Sequence, residues 1–242
     1  VYQVVQVVAL LAGLVDGEPE NLMTTFPLAQ RPRGITKGPG STLYVSQILS
    51  GQVLAMDAVT GDTATVVGSQ TDQNHQAWGI EYFVKRYASG RAPQGYLLAA
   101  GGGPPFGGGN AEVYLYNADT GEAYITCSLE DAFNESNGDE FEDGFGFDDY
   151  DTTSLFGDFL NDIAIVEYTE SGWQKAFAFI TNSFTNQLMG LDLNDAIDSK
   201  MCTVFKLDLP SDVFTPQDAN DWGANGIVTF SVDGFSGLLI SH

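Results

Sequence analysis

Four related tripeptides recur along the chain, and the side chains of their first residues are the best candidates for binding chemistry. They are Arg33-Gly34-Ile35, Trp78-Gly79-Ile80, Asn161-Asp162-Ile163 and Asn225-Gly226-Ile227. An apolar segment of strand length follows each tripeptide, so the four first residues stand at equivalent places, where a strand begins. We predict that Arg33 and Trp78 contribute to a ligand site, since a guanidinium binds anionic groups and amide carbonyls well. For Asn161 and Asn225 a structural role is an alternative, because Asn favours turns that lead into strands.

Other motifs that suggest catalysis or nucleotide binding lack essential parts. A Ser-His-Asp triad would have to use His75 or His242, and the sequence has no Gly-x-Ser-x-Gly elbow. The glycine-rich run at 101–109 lacks the Lys-Ser/Thr ending of a phosphate-binding loop and precedes a strand rather than a helix. It is therefore predicted to be a flexible loop between strands.

A strongly acidic segment at about residues 129–159 interrupts the spacing of the repeats and is predicted to be an inserted loop. It contains many carboxylates and no Lys or Arg, but it lacks the residue order of an EF-hand. Weak calcium binding and a solvated loop are both open for it, and its interleaved aromatic residues favour docking on the core or on a partner. Asn134 begins an Asn-Glu-Ser glycosylation sequon within this loop.

The charge of the chain limits its partners. Its 242 residues carry a formal net charge of −23, from 32 acidic and 9 basic residues. A surface of this kind repels phosphate backbones and anionic lipids, so nucleic acid is excluded as a partner. The longest apolar run, at 4–15, is too short to span a bilayer comfortably, so no membrane span is expected.

Several features bear on the compartment. Residues 1–30 form an N-terminal apolar segment that is either a strand closing a ring or the remnant of a signal peptide. Cys127 and Cys202 form either one disulfide or two partly buried thiols. With the sequon, these features lead us to expect a secreted or lumenal protein.

The segments between the tripeptides predict the elements that position them. Apolar and polar residues alternate over strand lengths, at a repeat of roughly 40–50 residues that is typical of propeller blades. The related runs at 57–62 and 117–122 are predicted to be hairpin turns between the third and fourth strands of a blade, where Gly supplies a positive φ. The predicted fold is all-β, a β-propeller of four-stranded blades over residues 31–242. Because the fourth copy stops in its second strand, we expect an incomplete ring or a fragment of a longer one.

The order of these segments resembles a known superfamily. The segments are RPRGI (31–35), TLYVS (42–46), GQVLAMD (51–57), LLAAGGG (97–103), AEVYLYNADTGE (111–122), FLNDIAI (159–165), AFITNSF (178–184), LMGLDL (188–193), ANGIVTFSVDG (224–234) and LLISH (238–242). Together they resemble the senescence-marker and gluconolactonase-like superfamily of six-bladed β-propellers, which includes calcium-dependent phosphotriesterase-like proteins. Within it, the chain looks closest to a secreted fungal-allergen-like branch. The resemblance covers about residues 31–242.

This resemblance implies a divalent cation, commonly calcium, at the mouth of the central channel. Enzymes of the superfamily hold the cation with a Glu, one or two Asn and an Asp. Asn161 and Asn225 match the two Asn positions and are the implied metal ligands, and Asp162 is the nearest candidate for a catalytic base. Arg33 falls where the enzymes carry their Glu. At roughly 6 Å, with an effective dielectric near 20, its guanidinium would repel a cation by several kcal/mol.

These observations predict a secreted or lumenal propeller that binds a small ligand or a partner protein. One alternative is a metal-dependent lactonase or esterase that uses a cation at the channel mouth to polarise a carbonyl. A second alternative is a subunit of a larger extracellular assembly, in which a partner covers the unclosed edge strands. A mouth filled by Arg33 would favour the first function, and a metal with three or more oxygen ligands would favour the hydrolase.

Overall fold

A computed structural model describes residues 32–47, 50–67, 79–101, 111–129, 160–182, 187–209, 226–232 and 235–241. The predictions for Trp78, Asn134, Asn225 and the N-terminal segment 1–30 lie outside the described residues, as does almost all of the acidic insert. Within the described ranges the chain is β-structure, apart from one short π-helical turn at Asp195–Ser199. No helix in these ranges has the length and apolar character needed to cross a membrane.

The strands follow one another in chain order within antiparallel sheets, which we call blades 1 to 4. Blade 1 contains β1 (Pro32–Lys37), β2 (Thr42–Gln47), β3 (Val53–Asp57) and β4 (Thr63–Val67). Blade 2 contains β5 (Ile80–Lys85), β6 (Gln94–Gly101), β7 (Glu112–Asn117) and β8 (Ala123–Ser128). Blade 3 contains β9 (Leu160–Glu170), β10 (Trp173–Asn182), β11 (Gln187–Asp192) and β12 (Val204–Asp208). Blade 4 is described as the pair β13 (Ile227–Val232) and β14 (Phe235–Ile240).

The first strand of each blade lies innermost, and successive inner strands are neighbours. β1 contacts β5, β5 contacts β9, and β9 contacts β13. Repeated four-stranded meanders joined in this way are the architecture of a β-propeller. The predicted all-β propeller of four-stranded blades is thus confirmed.

Apolar cores fill the spaces between blades. The larger core joins blades 2 and 3, where Leu98, Leu115, Ile180 and Leu191 are fully buried. A second core joins blades 1 and 2 around Leu97. The sequence pattern explains this arrangement, because a blade that is buried on both faces needs near-continuous apolar strands rather than strict alternation.

Both predicted hairpin turns are confirmed, and they have the same geometry. The side-chain Oδ1 of Asp57 accepts hydrogen bonds from the backbone N–H groups two and three residues on, at 2.7 and 3.0 Å. Asn117 does the same in blade 2, at 2.9 and 3.3 Å. Gly61 and Gly121 then adopt positive φ values of 78° and 71°. Asp and Asn form such turns because their short side chains satisfy local backbone donors.

The two cysteines are bonded to each other. Cys127, in the outer strand β8 of blade 2, forms a disulfide with Cys202, which precedes the outer strand of blade 3. The bridge therefore ties neighbouring blades together at their outer edges. Leu129, at the start of the predicted insert, still belongs to blade 2, since it is fully buried and its N–H bonds to the Ala111 carbonyl at 2.8 Å.

Candidate functional site at the channel mouth

The tripeptide of blade 1 forms a bulge at the start of its inner strand. Pro32 pairs with Gln47, and Ile35 pairs with Val45, so two residues of β1 lie opposite Ser46 alone. The bulged residues are Arg33 and Gly34. A bulge bends its strand and redirects a side chain, and such irregularities are common beside functional sites.

The tripeptide of blade 3 forms the same bulge. The pairing shifts between Leu160 and Ile163, so Asn161 and Asp162 lie opposite Thr181 alone. The repeat register predicted that Arg33 and Asn161 occupy equivalent places, and the two bulges place them so.

A hydroxyl on the second strand stabilises each of these irregular starts. The Gly34 N–H donates to Ser46 Oγ at 2.9 Å, and the Asp162 N–H donates to Thr181 Oγ1 at 3.1 Å. In blade 4 the Gly226 N–H donates to Ser241 Oγ at 3.1 Å. A buried N–H without a partner is costly, so the hydroxyl satisfies a donor that the bulge removes from the ladder.

The bulges bring Arg33 and Asn161 into direct contact. Arg33 Nη2 donates to Asn161 Oδ1 at 2.9 Å, although the two residues lie on blades 1 and 3. Asn161 is buried. The guanidinium therefore reaches across the mouth and occupies the amide oxygen that a cation at Asn161 would require.

Two carboxyl groups flank this contact. Asp162 accepts hydrogen bonds from the backbone N–H of Ile163 at 3.0 Å and of Ile227 at 3.1 Å. Burial raises the pKa of Asp162 above its usual range, and the two backbone hydrogen bonds and the Arg33 charge only partly offset that rise. Burial also raises the pKa of Glu81, and the Asp162 charge adds to the rise, while a hydrogen bond from Thr36 opposes it.

Gly79 is required by the close approach of blades 2 and 3 at this point. A Cβ at Gly79 would lie 2.7 Å from the Asp162 Cα and 2.9 Å from the Asn161 carbonyl oxygen. Side-chain carbons do not approach backbone atoms so closely, so Gly is the residue that fits. Its absence of a side chain allows Asn161 and Asp162 to pack against the start of β5.

The oxygen atoms at the mouth are poorly arranged for a cation. Calcium takes six to eight oxygen ligands and usually includes several carboxylates. Asn161 Oδ1 is bonded to Arg33, and both Asp162 oxygens accept backbone N–H groups. Among the described residues there is no group of three or more His, Cys, Asp or Glu side chains placed to hold a metal ion. Asn225, the second implied ligand, lies outside those residues.

Sequence reasoning found part of this site and missed part. It selected Arg33, Asn161 and Asp162, and the structure brings these three together. It missed Glu81 and the hydroxyls opposite the bulges. A signal for both was present, because Glu81 directly follows a tripeptide, and a Ser or Thr recurs near the end of the second strand in three of the four repeats.

The hydroxyl of Thr181 can be tested by an isosteric change. Thr181→Val keeps the shape but leaves the buried Asp162 N–H without its partner, which we expect to lower the free energy of unfolding by about 1–3 kcal/mol. Urea denaturation would measure the loss. Thr65→Val, at an exposed position of β4, serves as the control and should change stability little. Equal effects of the two variants would argue against a role for the hydroxyl in holding the bulge.

Comparisons with known proteins agree with the fold and go no further. No family model matches the chain, and no curated protein matches it. Its structure is similar to the crystal structure of the major Malassezia sympodialis allergen Mala s 1, at 16% identity and a TM-score of 0.47, over 88% of this chain and 50% of that one. Myxococcus xanthus glutaminyl cyclase is similar at 10% identity and a TM-score of 0.44, over 86% and 67% of the two chains. An auxiliary nutrient binding protein from Bacteroides thetaiotaomicron is similar at 12% identity and a TM-score of 0.40, over 90% and 47%. The chain thus spans about half the length of the allergen.

Proposed function

We propose that the chain is a secreted β-propeller that binds a ligand or a partner protein at its channel mouth, without a catalytic metal. The order of its segments supports membership of the gluconolactonase-like superfamily, with a mouth that differs from that of its enzymes. The ligand that suits this mouth presents an anionic or carbonyl oxygen to Arg33, in place of the Asn161 amide oxygen.

One observation carries the proposal, namely the 2.9 Å hydrogen bond from Arg33 Nη2 to Asn161 Oδ1. A guanidinium here supplies the positive charge that a cation would otherwise supply. At roughly 6 Å and an effective dielectric near 20, it would also repel a bound cation by about 3 kcal/mol for each unit of charge.

The disulfide supports the proposed secretion. Disulfides form and persist in oxidising compartments, and they are rare in the cytosol. The bond between Cys127 and Cys202 joins two blades over a separation of 75 residues. An acidic surface with a net charge of −23 also keeps a secreted protein soluble.

The lactonase-type hydrolase is the second candidate, favoured by the raised pKa values of Asp162 and Glu81. A carboxyl group whose pKa moves towards neutrality is better suited to proton transfer than an ordinary surface carboxylate. In this function Asp162 would be the base and Asn161 would help to hold calcium.

Calcium titration by calorimetry on chelator-stripped protein separates the two functions. We expect the native protein to show no calcium binding that depends on Asn161. Arg33→Glu should gain calcium binding by at least about 100-fold, because a repulsion is replaced by an attraction of similar size. Adding Asn161→Leu to Arg33→Glu should abolish the gain.

The control is Lys37→Glu, which makes the same change of charge at an exposed position of the same strand. A comparable gain in this variant would show that the effect is one of net charge rather than of the mouth. Micromolar calcium binding by the native protein, lost in Asn161→Leu, would overturn the proposal and favour the hydrolase.

A further inference from the structure

A second site lies at the opposite ends of the strands that form the mouth. Between the end of β5 and the turn from β9 to β10 there is a cleft of about 530 Å³. This volume is in the range of small-molecule sites. Its walls come from blades 2 and 3, so it is separate from Arg33 and Asn161.

The cleft presents an exposed indole on a rigid hairpin. Ser171 and Gly172 have φ values of 52° and 81°, which is the pattern of a tight two-residue β-hairpin turn. Trp173 follows this turn and is 61% exposed. Because the turn fixes the backbone, the indole is held in place as a flat apolar surface at the edge of the cleft.

Groups of opposite charge flank this indole on the same face of the sheet. Glu170 is the cross-strand partner of Trp173, and directly opposed residues project to the same side. Lys175 lies two residues after Trp173 and so shares that side. Among the described residues, neither Glu170 nor Lys175 has an ion-pair or hydrogen-bond partner. The cleft therefore offers both a strong acceptor and a strong donor next to the ring.

The floor of the cleft is preorganised. Lys85 is buried, and its Nζ donates to Asn194 Oδ1 at 2.7 Å and to Asp198 Oδ2 at 2.8 Å. Gln174 joins the two walls, since its Oε1 accepts the Arg86 N–H at 2.7 Å and its Nε2 donates to the Val84 carbonyl at 3.1 Å. These contacts fix blades 2 and 3 relative to each other, which lowers the cost of ordering a site when a ligand binds.

We propose that this cleft binds a saccharide. A sugar ring has an apolar C–H face that can pack on Trp173, and each hydroxyl both donates and accepts hydrogen bonds, as Glu170 and Lys175 together require. A simple anion would leave Glu170 unsatisfied, and a simple cation would leave Lys175 unsatisfied. A neutral saccharide is also indifferent to the charge of −23 on the whole chain.

The test uses the full chain with its disulfide intact, applied to an array of mono- and oligosaccharides and then titrated with the strongest glycan by calorimetry. We expect binding that Trp173→Ala weakens at least about tenfold. Val59→Ala removes another highly exposed apolar side chain, in blade 1, and should bind like the native protein. Arg33→Glu should also bind normally, which separates this site from the channel mouth.

Thermal unfolding should show that Trp173→Ala remains folded, because its side chain is largely exposed. Absence of any bound glycan at about 1 mM would overturn the proposal. So would glycan binding that Trp173→Ala leaves unchanged, or Trp173-dependent binding of free amino acids in place of glycans, since a zwitterion could also satisfy Glu170 and Lys175.

Discussion

Replacing both Cys127 and Cys202 with alanine is expected to lower the free energy of unfolding by about 4 kcal/mol. The disulfide closes a loop of 75 residues, and cross-linking a loop of this size removes that much conformational entropy from the unfolded chain. The loss is large compared with the total stability of a typical domain, which is about 5–15 kcal/mol. The variant should therefore unfold at a much lower urea concentration than the native protein.

Reduction of the native protein provides the matched control. Urea denaturation with a thiol reductant should lower its stability to that of the double alanine variant, and the reductant should not affect the variant itself. If the native protein is equally stable with and without reductant, the bond does not constrain the unfolded chain in this way. Because Cys127 is fully buried, a serine there would add an unrelated desolvation cost, so alanine is the better replacement.

The disulfide also marks a limit of the sequence. Composition and spacing left a bond and two free thiols equally open, because the residues lie in different repeats. The structure decides between them through packing that no local pattern records. Tyr124 OH donates to the Ile197 carbonyl at 2.7 Å, and Lys200 Nζ donates to the Tyr124 carbonyl at 3.0 Å. These contacts hold the turn before β12 against β8 and bring the two sulfur atoms together.

The blades themselves were predictable because their signals are local. The segment TLYVSQ at 42–47 became β2, and the Asp57 and Asn117 turns adopt the expected hairpins with positive-φ glycines. Alternation and turn chemistry act over a few residues, so one sequence is enough to reveal them. The fourth strand of blade 3, Val204–Asp208, was missed because a helical turn separates it from β11.

The channel mouth was predictable only as a set of equivalent positions. The repeat register grouped Arg33 with Asn161, but their hydrogen bond depends on how blades 1 and 3 face each other across the channel. Glu81 was missed for the same reason, since its raised pKa comes from burial and from the Asp162 charge on the next blade. Register shows which residues are equivalent, and only packing between blades shows which of them touch.

Gly121→Ala is expected to destabilise the protein by about 2–5 kcal/mol. Gly121 has a φ of 71°, a conformation that costs other residues about 1–2 kcal/mol. In addition, a Cβ at this position would overlap the carbonyl oxygen of Val66, in the outer strand of blade 1. Relieving that overlap requires the turn at 117–122 to move away from β4, and overpacking of this kind costs about 1–3 kcal/mol more.

Gly172→Ala separates the two parts of this cost. Gly172 has a φ of 81°, but a Cβ there would meet nothing within 4 Å. We therefore expect its loss in urea denaturation to be only about 1–2 kcal/mol, from the backbone alone. The difference between the variants measures the contact between the Gly121 turn and Val66. Equal losses would mean that blades 1 and 2 can separate there freely, and that the apolar core around Leu97, rather than the turn, holds them together.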